Sequence, residues 1–311
     1  MMAGAGQAPD PTGDGVDETL FTTVFDASDR RAYEEELLRA RQEAERERER
    51  LERLVATLQH SLLPSSLPRV PGLLAASHYR IASRDQVGGD FYDLFPLARE
   101  RWGFFLGDVC GKGASAAAVT SMIRYTLRAA AVYDDDPVAV LRTLNTELGR
   151  HLIDDPRYCT AVLGILAPDG DGFELTLAGG GHPSSLLLRA DGSAGYQAIP
   201  GGMLIGMLPD ARFTSVTLRL SPGDTLLLYT DGLIEARTGP ANSTGTEDGR
   251  YGDEALLAFA AALAPTTAAG AVTAVAGLLD SFADGLDDDT AVLALGVPLP
   301  TEDHSPTEES A

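Results

Sequence analysis

The sequence has few of the features that mark secreted or membrane proteins. Its 311 residues contain two cysteines, Cys110 and Cys159, which are too few for a disulfide framework. No apolar run approaches the roughly 20 residues that span a bilayer. The amino terminus lacks the basic start and apolar core of a secretory signal. We therefore expect a cytoplasmic protein that does not enter a membrane.

Basic residues are also scarce. The chain has 24 Lys and Arg against 46 Asp and Glu, a formal net charge of −22, and Lys112 is its only lysine. Because a nucleic-acid-binding face needs positive charge, nucleic acid is not an expected partner. The same excess of acid means that a phosphorylated substrate needs local recruitment, for example through a metal.

Changes in composition along the chain predict five segments. We expect residues 1–19 to be disordered and residues 299–311 to form a disordered acidic tail, because neither has core residues. Residues 20–32 contain LFTTVFD, a strand-like stretch that suggests the remnant of an upstream sensor domain. Residues 33–63 form a long helix, and the prolines that follow it begin one folded domain, residues 64–298.

The helix has a heptad pattern. Leu37, Ala44, Leu51 and Leu58 are spaced by seven, and the stretch from Arg30 to Arg53 contains eight Glu and eight Arg. In that register Glu36 lies at a g position and Arg41 at the matching e position. A single solvated helix held by i,i+4 ion pairs is one interpretation. A parallel homodimeric coiled coil through residues 33–63 is the other, and we prefer it.

The folded domain has the pattern of antiparallel sheets with helices packed against them, an α+β class. Short apolar stretches follow one another in hairpin-like succession instead of alternating strictly with helices. Predicted strands cover residues 102–108, 160–166, 173–178, 185–189, 214–220, 225–229 and 290–297. Predicted helices cover residues 114–133, 137–152, 253–264 and 266–282.

Aspartates beside glycines mark the ends of these strands. The four motifs are VGGDFYD with Asp90, GDVCGKG with Asp108, TDG with Asp231, and DDDT, which begins at Asp287. A turn explains any one of them. Four together indicate carboxylates that need a cation, and oxygen ligands suit Mg²⁺ or Mn²⁺.

Two other interpretations of these motifs are weaker. GDVCGKG lacks the hydroxyl residue that follows lysine in a phosphate-binding loop. Cys110 lacks the surrounding pattern of a cysteine phosphatase, so we expect a packed thiol that chemistry does not need.

The four motifs, with LQHSLLPSSLP before the domain and the AGGGHPSSLLL stretch within it, resemble the SpoIIE/RsbU-like branch of the PPM (type 2C) protein serine/threonine phosphatases. The resemblance covers roughly residues 50–297. It implies a PPM-type sandwich of two antiparallel β-sheets flanked by helices, here preceded by the long helix. It also implies that movement of that helix regulates metal occupancy.

The resemblance assigns roles to single residues. Asp108 would bridge two Mn²⁺ or Mg²⁺ ions, the Val109 carbonyl would complete one site, and Asp231 and Asp287 would be further ligands, with Asp90 near the other ion. Asp108 and Asp231 are thus the catalytic candidates. Asp288 remains an alternative to Asp287, because three aspartates are consecutive.

Two further side chains are possible participants, and the arginine motif of the family does not match this sequence cleanly. Arg84 is a candidate for gripping phosphate. His182 is a candidate leaving-group acid, although a structural turn histidine is the preferred interpretation.

The resemblance also implies a substrate. It is phosphoserine or phosphothreonine on a STAS-domain anti-sigma factor antagonist, hydrolysed by a hydroxide that bridges the two metals in a sigma-factor pathway such as a stress response. The alternatives are an inactive scaffold module and a phosphatase for another phosphoester. The retained acids argue against a scaffold.

Overall fold

Ten short strands lie in the described part of the chain after residue 73. The computed structural model describes residues 27–82, 87–151, 157–238, 246, 249–282 and 285–300. Within them the helices are α1 (Ala27–Leu62), α2 (Ala114–Tyr133), α3 (Pro137–His151), α4 (Gly252–Leu263) and α5 (Ala268–Ser281). The strands are β1 (Leu74–Arg80), β2 (Phe91–Pro96), β3 (Trp102–Val109), β4 (Cys159–Asp169), β5 (Gly172–Gly180), β6 (Ser185–Leu188), β7 (Ala194–Gln197), β8 (Thr214–Leu220), β9 (Thr225–Tyr229) and β10 (Thr290–Gly296).

The strands form two five-stranded sheets. One has the order β1-β10-β9-β6-β7 and the other the order β2-β3-β4-β5-β8, and the strand pairs are antiparallel. This confirms the predicted α+β sandwich.

Alternation along each strand builds three cores. On β3, Phe104 and Leu106 join the core that β9 and β10 also line, whereas Phe105 belongs to a second core with α2 and α3. On β9, Leu226 faces the first core and Leu227 joins a third core with α4 and α5. Successive side chains of a strand point to opposite faces, so each sheet buries one face against the other sheet and one against helices.

The predicted helices of the domain agree closely with the structure. Helix α2 has the predicted bounds, and α4 and α5 differ from prediction by one or two residues at their ends. Strands β1, β2 and β7 were not predicted. The β1 sequence, LAASHYR, is half-buried and poor in large apolar residues, so its pairing with β10 depends on the tertiary fold.

Helix α1 begins earlier than predicted. Residues 27–32, which we had placed in the strand-like segment, are helical, because no Gly or Pro separates them from the rest of the helix. The strand-like residues 20–26, and residues 1–19 and 301–311, lie outside the described residues. Apolar residues of the heptad seam are exposed, with Leu37 at 52% and Leu51 at 54%. Pairing of this helix remains a prediction.

None of the helices in the described ranges is both long enough and apolar enough to cross a membrane.

Candidate metal centre

The four acidic motifs meet because of strand pairing within each sheet. β2 and β3 pair with Phe91 opposite Gly107, so Asp90 and Asp108 lie at the same end of one sheet. β9 and β10 pair with Tyr229 opposite Val292, so Asp231 and residues 287–289 lie together in the other sheet. The strand ends of the two sheets face each other, because Thr230 after β9 hydrogen-bonds Asp90 before β2.

Thr230 joins the two sheets at this point. Its buried hydroxyl donates to Asp90 Oδ2 at 2.7 Å and accepts from the backbone N–H of Ala291 at 2.9 Å. The first bond reaches the β2 sheet and the second lies within the β9–β10 pair. Our sequence analysis did not assign this role, although the threonine directly precedes Asp231 in the TDG motif.

Two glycines let backbone approach these acids. A Cβ on Gly89 would collide with the Val109 carbonyl oxygen and the Asp108 carboxylate, and one on Gly88 would collide with Asp289. The Gly89 carbonyl also accepts from Val109 N–H at 3.2 Å. The VGGD motif therefore needs glycine for close packing and brings the Val109 carbonyl beside Asp108.

Burial and mutual repulsion raise the pKa values of the carboxylates. The pKa of Asp90 is well above its usual range because of burial and then the charge of Asp108. Burial, followed by the charges of Asp231 and Asp288, raises the pKa of Asp108 to about 8. The pKa of Asp231 is also raised, by burial first and then by Glu235 and Asp288.

The three consecutive aspartates have different partners. Asp287 is half-exposed and forms an ion pair with Arg237 at 2.6 Å, and Asp288 forms one with Lys112 at 2.8 Å. Asp289 is buried and accepts from Ala82 N–H at 2.7 Å. The negative charge of Asp288 contributes to the raised pKa values of both Asp108 and Asp231.

The donor set fits divalent metal ions. It consists of carboxylate oxygens and one carbonyl, and the raised pKa values of Asp90, Asp108 and Asp231 show a deficit of positive charge that a hard cation would correct. Among the described residues, no three side chains are already arranged as a metal site. Side-chain rotation, above all of Asp287 away from Arg237, would be needed.

Asp93, the second acid of VGGDFYD, has a structural role instead. Its buried carboxylate forms ion pairs with Arg124 at 3.0 Å and with Arg128 at 2.9 Å, both on α2. It lies three residues after Asp90 and on the opposite side of the strand, so it anchors α2 to β2.

His182 is a structural residue in this site. Its Nε2 is 3.0 Å from the Tyr229 carbonyl and its Nδ1 is 2.9 Å from the Thr160 hydroxyl. The carbonyl can only accept, so Nε2 donates and Nδ1 accepts. Burial lowers the pKa of His182 to about 4, so the ring is neutral at pH 7. Both nitrogens are used in holding β4 to β9, in agreement with the preferred interpretation.

Arg84 and Cys110 are the remaining candidates from the sequence. Arg84 lies outside the described residues. Cys110 is half-buried, and its backbone N–H donates to the Tyr158 carbonyl at 3.0 Å. Burial raises the pKa of the Cys159 thiol far above its usual range, which disfavours the thiolate form that a nucleophile needs.

A polar cleft of about 540 Å³ opens beside Asp231. His182, Tyr196 and Asp253 are among the residues that line it. A smaller, apolar cavity of about 310 Å³ lies at the other end of β10, beside Gly296 and Val297, away from the acids. Of the candidate ligands, Asp231 is among the residues that line the polar cleft.

Comparison with known proteins places this site in a family. Residues 98–298 match the family model of Stage II sporulation protein E (SpoIIE). The phosphoserine phosphatase RsbU of Bacillus subtilis is 28% identical over 185 residues, which cover 60% of this chain and 53% of RsbU. The chain spans about a third to a half of the length of the curated relatives it matches.

Solved structures share the fold. The RsbU and RsbW domains of Rv1364c from Mycobacterium tuberculosis align with a TM-score of 0.63 and 29% identity, covering 77% of this chain and 64% of that one. The PP2C phosphatase domain of SpoIIE from Bacillus subtilis aligns with a TM-score of 0.60 and 18% identity, covering 74% and 63%. RsbX, crystallised with magnesium, aligns with a TM-score of 0.53 and 14% identity, covering 74% and 98%.

The family model covers more than half of the chain, including Asp108, Asp231 and the three aspartates before β10, and the two sheets have the arrangement of the PP2C domains. The chain therefore belongs to the SpoIIE family, in the RsbU-like branch of the PPM phosphatases.

Proposed function

We propose that this protein is a metal-dependent protein serine/threonine phosphatase. The observation that carries the proposal is the convergence of carboxylates from both sheets beside an open polar cleft, with pKa values raised first by burial and then by the charges of neighbouring acids. Such a cluster destabilises the fold through desolvation and repulsion unless bound cations neutralise its charge.

The proposed ligands are Asp90, Asp108, the Val109 carbonyl, Asp231, and Asp287 or Asp288. Two bound Mn²⁺ or Mg²⁺ ions would supply an activated water for attack on phosphorus and would neutralise charge on the phosphoryl oxygens. The residue assignments rest on the match to the family motifs and on the meeting of the strand ends.

Other residues have supporting tasks in this proposal. The Thr230 hydroxyl holds the Asp90 carboxylate at 2.7 Å, which limits its rotation. The neutral His182 fixes one wall of the cleft through Thr160 and Tyr229. The cleft itself has room for the residues that flank a phosphoserine, since it adjoins Asp231.

The proposed substrate is a serine-phosphorylated STAS-domain anti-sigma factor antagonist. Support comes from the similarity to RsbU, a phosphoserine phosphatase, and to the RsbU domain of Rv1364c, whose crystallised chain also carries an RsbW domain. We further propose that residues 33–63 pair two copies of the chain in the cytoplasm.

Comparison of two substrates tests the proposal. Release of phosphate from serine-phosphorylated STAS-domain proteins and from p-nitrophenyl phosphate is measured with Mn²⁺. We expect a much higher kcat/KM for one of the STAS proteins. Equal or higher kcat/KM for the small ester would favour a different phosphoester substrate, and inactivity on both would favour a scaffold.

A further inference from the structure

The only lysine of the chain lies within the candidate metal centre. Lys112 is in the loop between β3 and α2, four residues after Asp108. Its Nζ forms an ion pair with Asp288 Oδ1 at 2.8 Å and donates to the Asp287 carbonyl at 3.1 Å. One ammonium group therefore joins the loop after β3 to the turn before β10.

The backbone fixes the position of this lysine. Gly111 and Gly113 on either side have φ values of +98° and +93°, a region that other residues rarely adopt. The loop is fastened at both ends, because Cys110 N–H donates to the Tyr158 carbonyl and Gly113 N–H donates to the Val87 carbonyl. The only long cationic side chain of the loop thus lies against the aspartates.

The turn that Lys112 contacts contains a proposed metal ligand whichever aspartate serves. Lys112 contacts the Asp288 side chain and the Asp287 backbone carbonyl. These two contacts do not involve the Asp287 carboxylate. The Asp287 carboxylate is half-exposed and forms its ion pair with Arg237. It can therefore rotate without breaking either Lys112 contact.

We propose that Lys112 is a positioning residue of the metal centre: its ammonium ties the turn at 287–288 to the loop after β3, and so fixes the last acidic ligand relative to Asp108. This inference rests on the proposed metal-dependent function. It assigns Lys112 a task that neither the family motifs nor our sequence analysis gave it.

The charge of Lys112 and its proposed positioning role predict opposite changes in metal affinity when the lysine is replaced. Removing a positive charge from an acidic site should, by Coulomb attraction alone, tighten the binding of a divalent cation. Removing the contacts that position the turn should weaken cation binding, because the ligands must then be ordered as the ion binds. The direction of the change in affinity therefore separates the two effects.

The test is calorimetric titration of the full chain with Mn²⁺. We expect Lys112→Met to bind the ion about 10- to 100-fold more weakly than wild type, and Lys112→Arg, which keeps the charge and donors, to recover most of the affinity. Arg150→Met is the matched control, since Arg150 is an exposed partner of Glu147 on α3. Binding by Lys112→Met that equals or exceeds wild type would overturn the proposal, and so would equal weakening in Lys112→Arg.

A second measurement does not depend on a variant that folds. Wild-type protein labelled with ¹³C,¹⁵N-lysine gives one ¹⁵Nζ signal, because the chain has one lysine. We expect this signal to shift on addition of Mg²⁺ with the same midpoint as the heat signal for Mg²⁺, and a signal that does not move would refute the proposed role. Wild type that binds neither ion would remove the proposed function itself, whereas unchanged binding in Lys112→Met removes only this inference.

Discussion

Replacement of Asp108 by asparagine should stabilise the metal-free protein at alkaline pH. Burial and neighbouring acids raise the pKa of Asp108 from 3.8 to about 8. A carboxyl with a raised pKa binds its proton more tightly in the folded state. It therefore contributes stability below the unfolded pKa of 3.8, and this contribution is lost as the pH rises to about 8.

The magnitude follows from the size of the shift. One pKa unit corresponds to about 1.4 kcal/mol, so the change from 3.8 to about 8 sets an upper bound of about 6 kcal/mol on the loss. Asp90 hydrogen-bonds Asp108 and responds to its charge, so the two share the effect. We expect Asp108→Asn to raise the free energy of unfolding at pH 8 by about 3 kcal/mol, or the Tm by about 6–12 °C.

The assay is thermal and urea unfolding of both proteins with EDTA at several values between pH 5 and pH 8. The stability difference between variant and wild type should grow with pH. Asp210→Asn, a change at an exposed site, should show no such growth. A difference that stays constant across this range, or an Asp108→Asn variant less stable than wild type at pH 8, would refute the reasoning.

Three further predictions concern other parts of the account. Thr230→Val should lower the free energy of unfolding by about 2–4 kcal/mol, because it breaks a bond to Asp90 and leaves the Ala291 N–H unpaired; a loss below about 0.5 kcal/mol in urea unfolding, the level expected for the exposed Thr143→Val, would contradict it. Cys110→Ala should retain most of its phosphatase activity in a phosphate-release assay, since no proposed step needs a thiol, and a trapped phosphocysteine would contradict this. Leu37→Glu combined with Leu51→Glu should give a monomer by analytical ultracentrifugation, because both exposed leucines lie on the heptad seam; wild type that is already monomeric at tens of micromolar would disprove the coiled coil.

The fold was predictable where the apolar pattern is strong. Helix α2 buries apolar residues at helical spacing, and β9 is a short run, TLLLY, that is buried throughout; the structure confirms both predictions. The edge strands β1 and β7 are half-buried and contain small or polar residues, so local pattern could not reveal them. Their formation depends on pairing with fully buried neighbours: β1 with β10, which is distant in sequence, and β7 with β6, the strand directly before it.

The acidic residues of the candidate site were predictable from the sequence, but the residues that pair with them were not. Asp90, Asp108 and Asp231 stood out because each lies beside glycine at a strand end. Sequence could not distinguish the three consecutive aspartates, since their differences lie in partners far along the chain: Arg237 for Asp287 and Lys112 for Asp288. Thr230 was missed for the same reason, because its partner Asp90 is 140 residues away.

The central claim is that these carboxylates hold metal ions that act on a phosphoprotein. The most direct measurement is phosphate release from a serine-phosphorylated STAS-domain protein by wild type with Mn²⁺, by wild type with EDTA, and by Asp108→Asn with Mn²⁺. The account predicts turnover in the first reaction alone, with folded protein in all three by circular dichroism. Equal turnover after removal of the metal, or in Asp108→Asn, would contradict it.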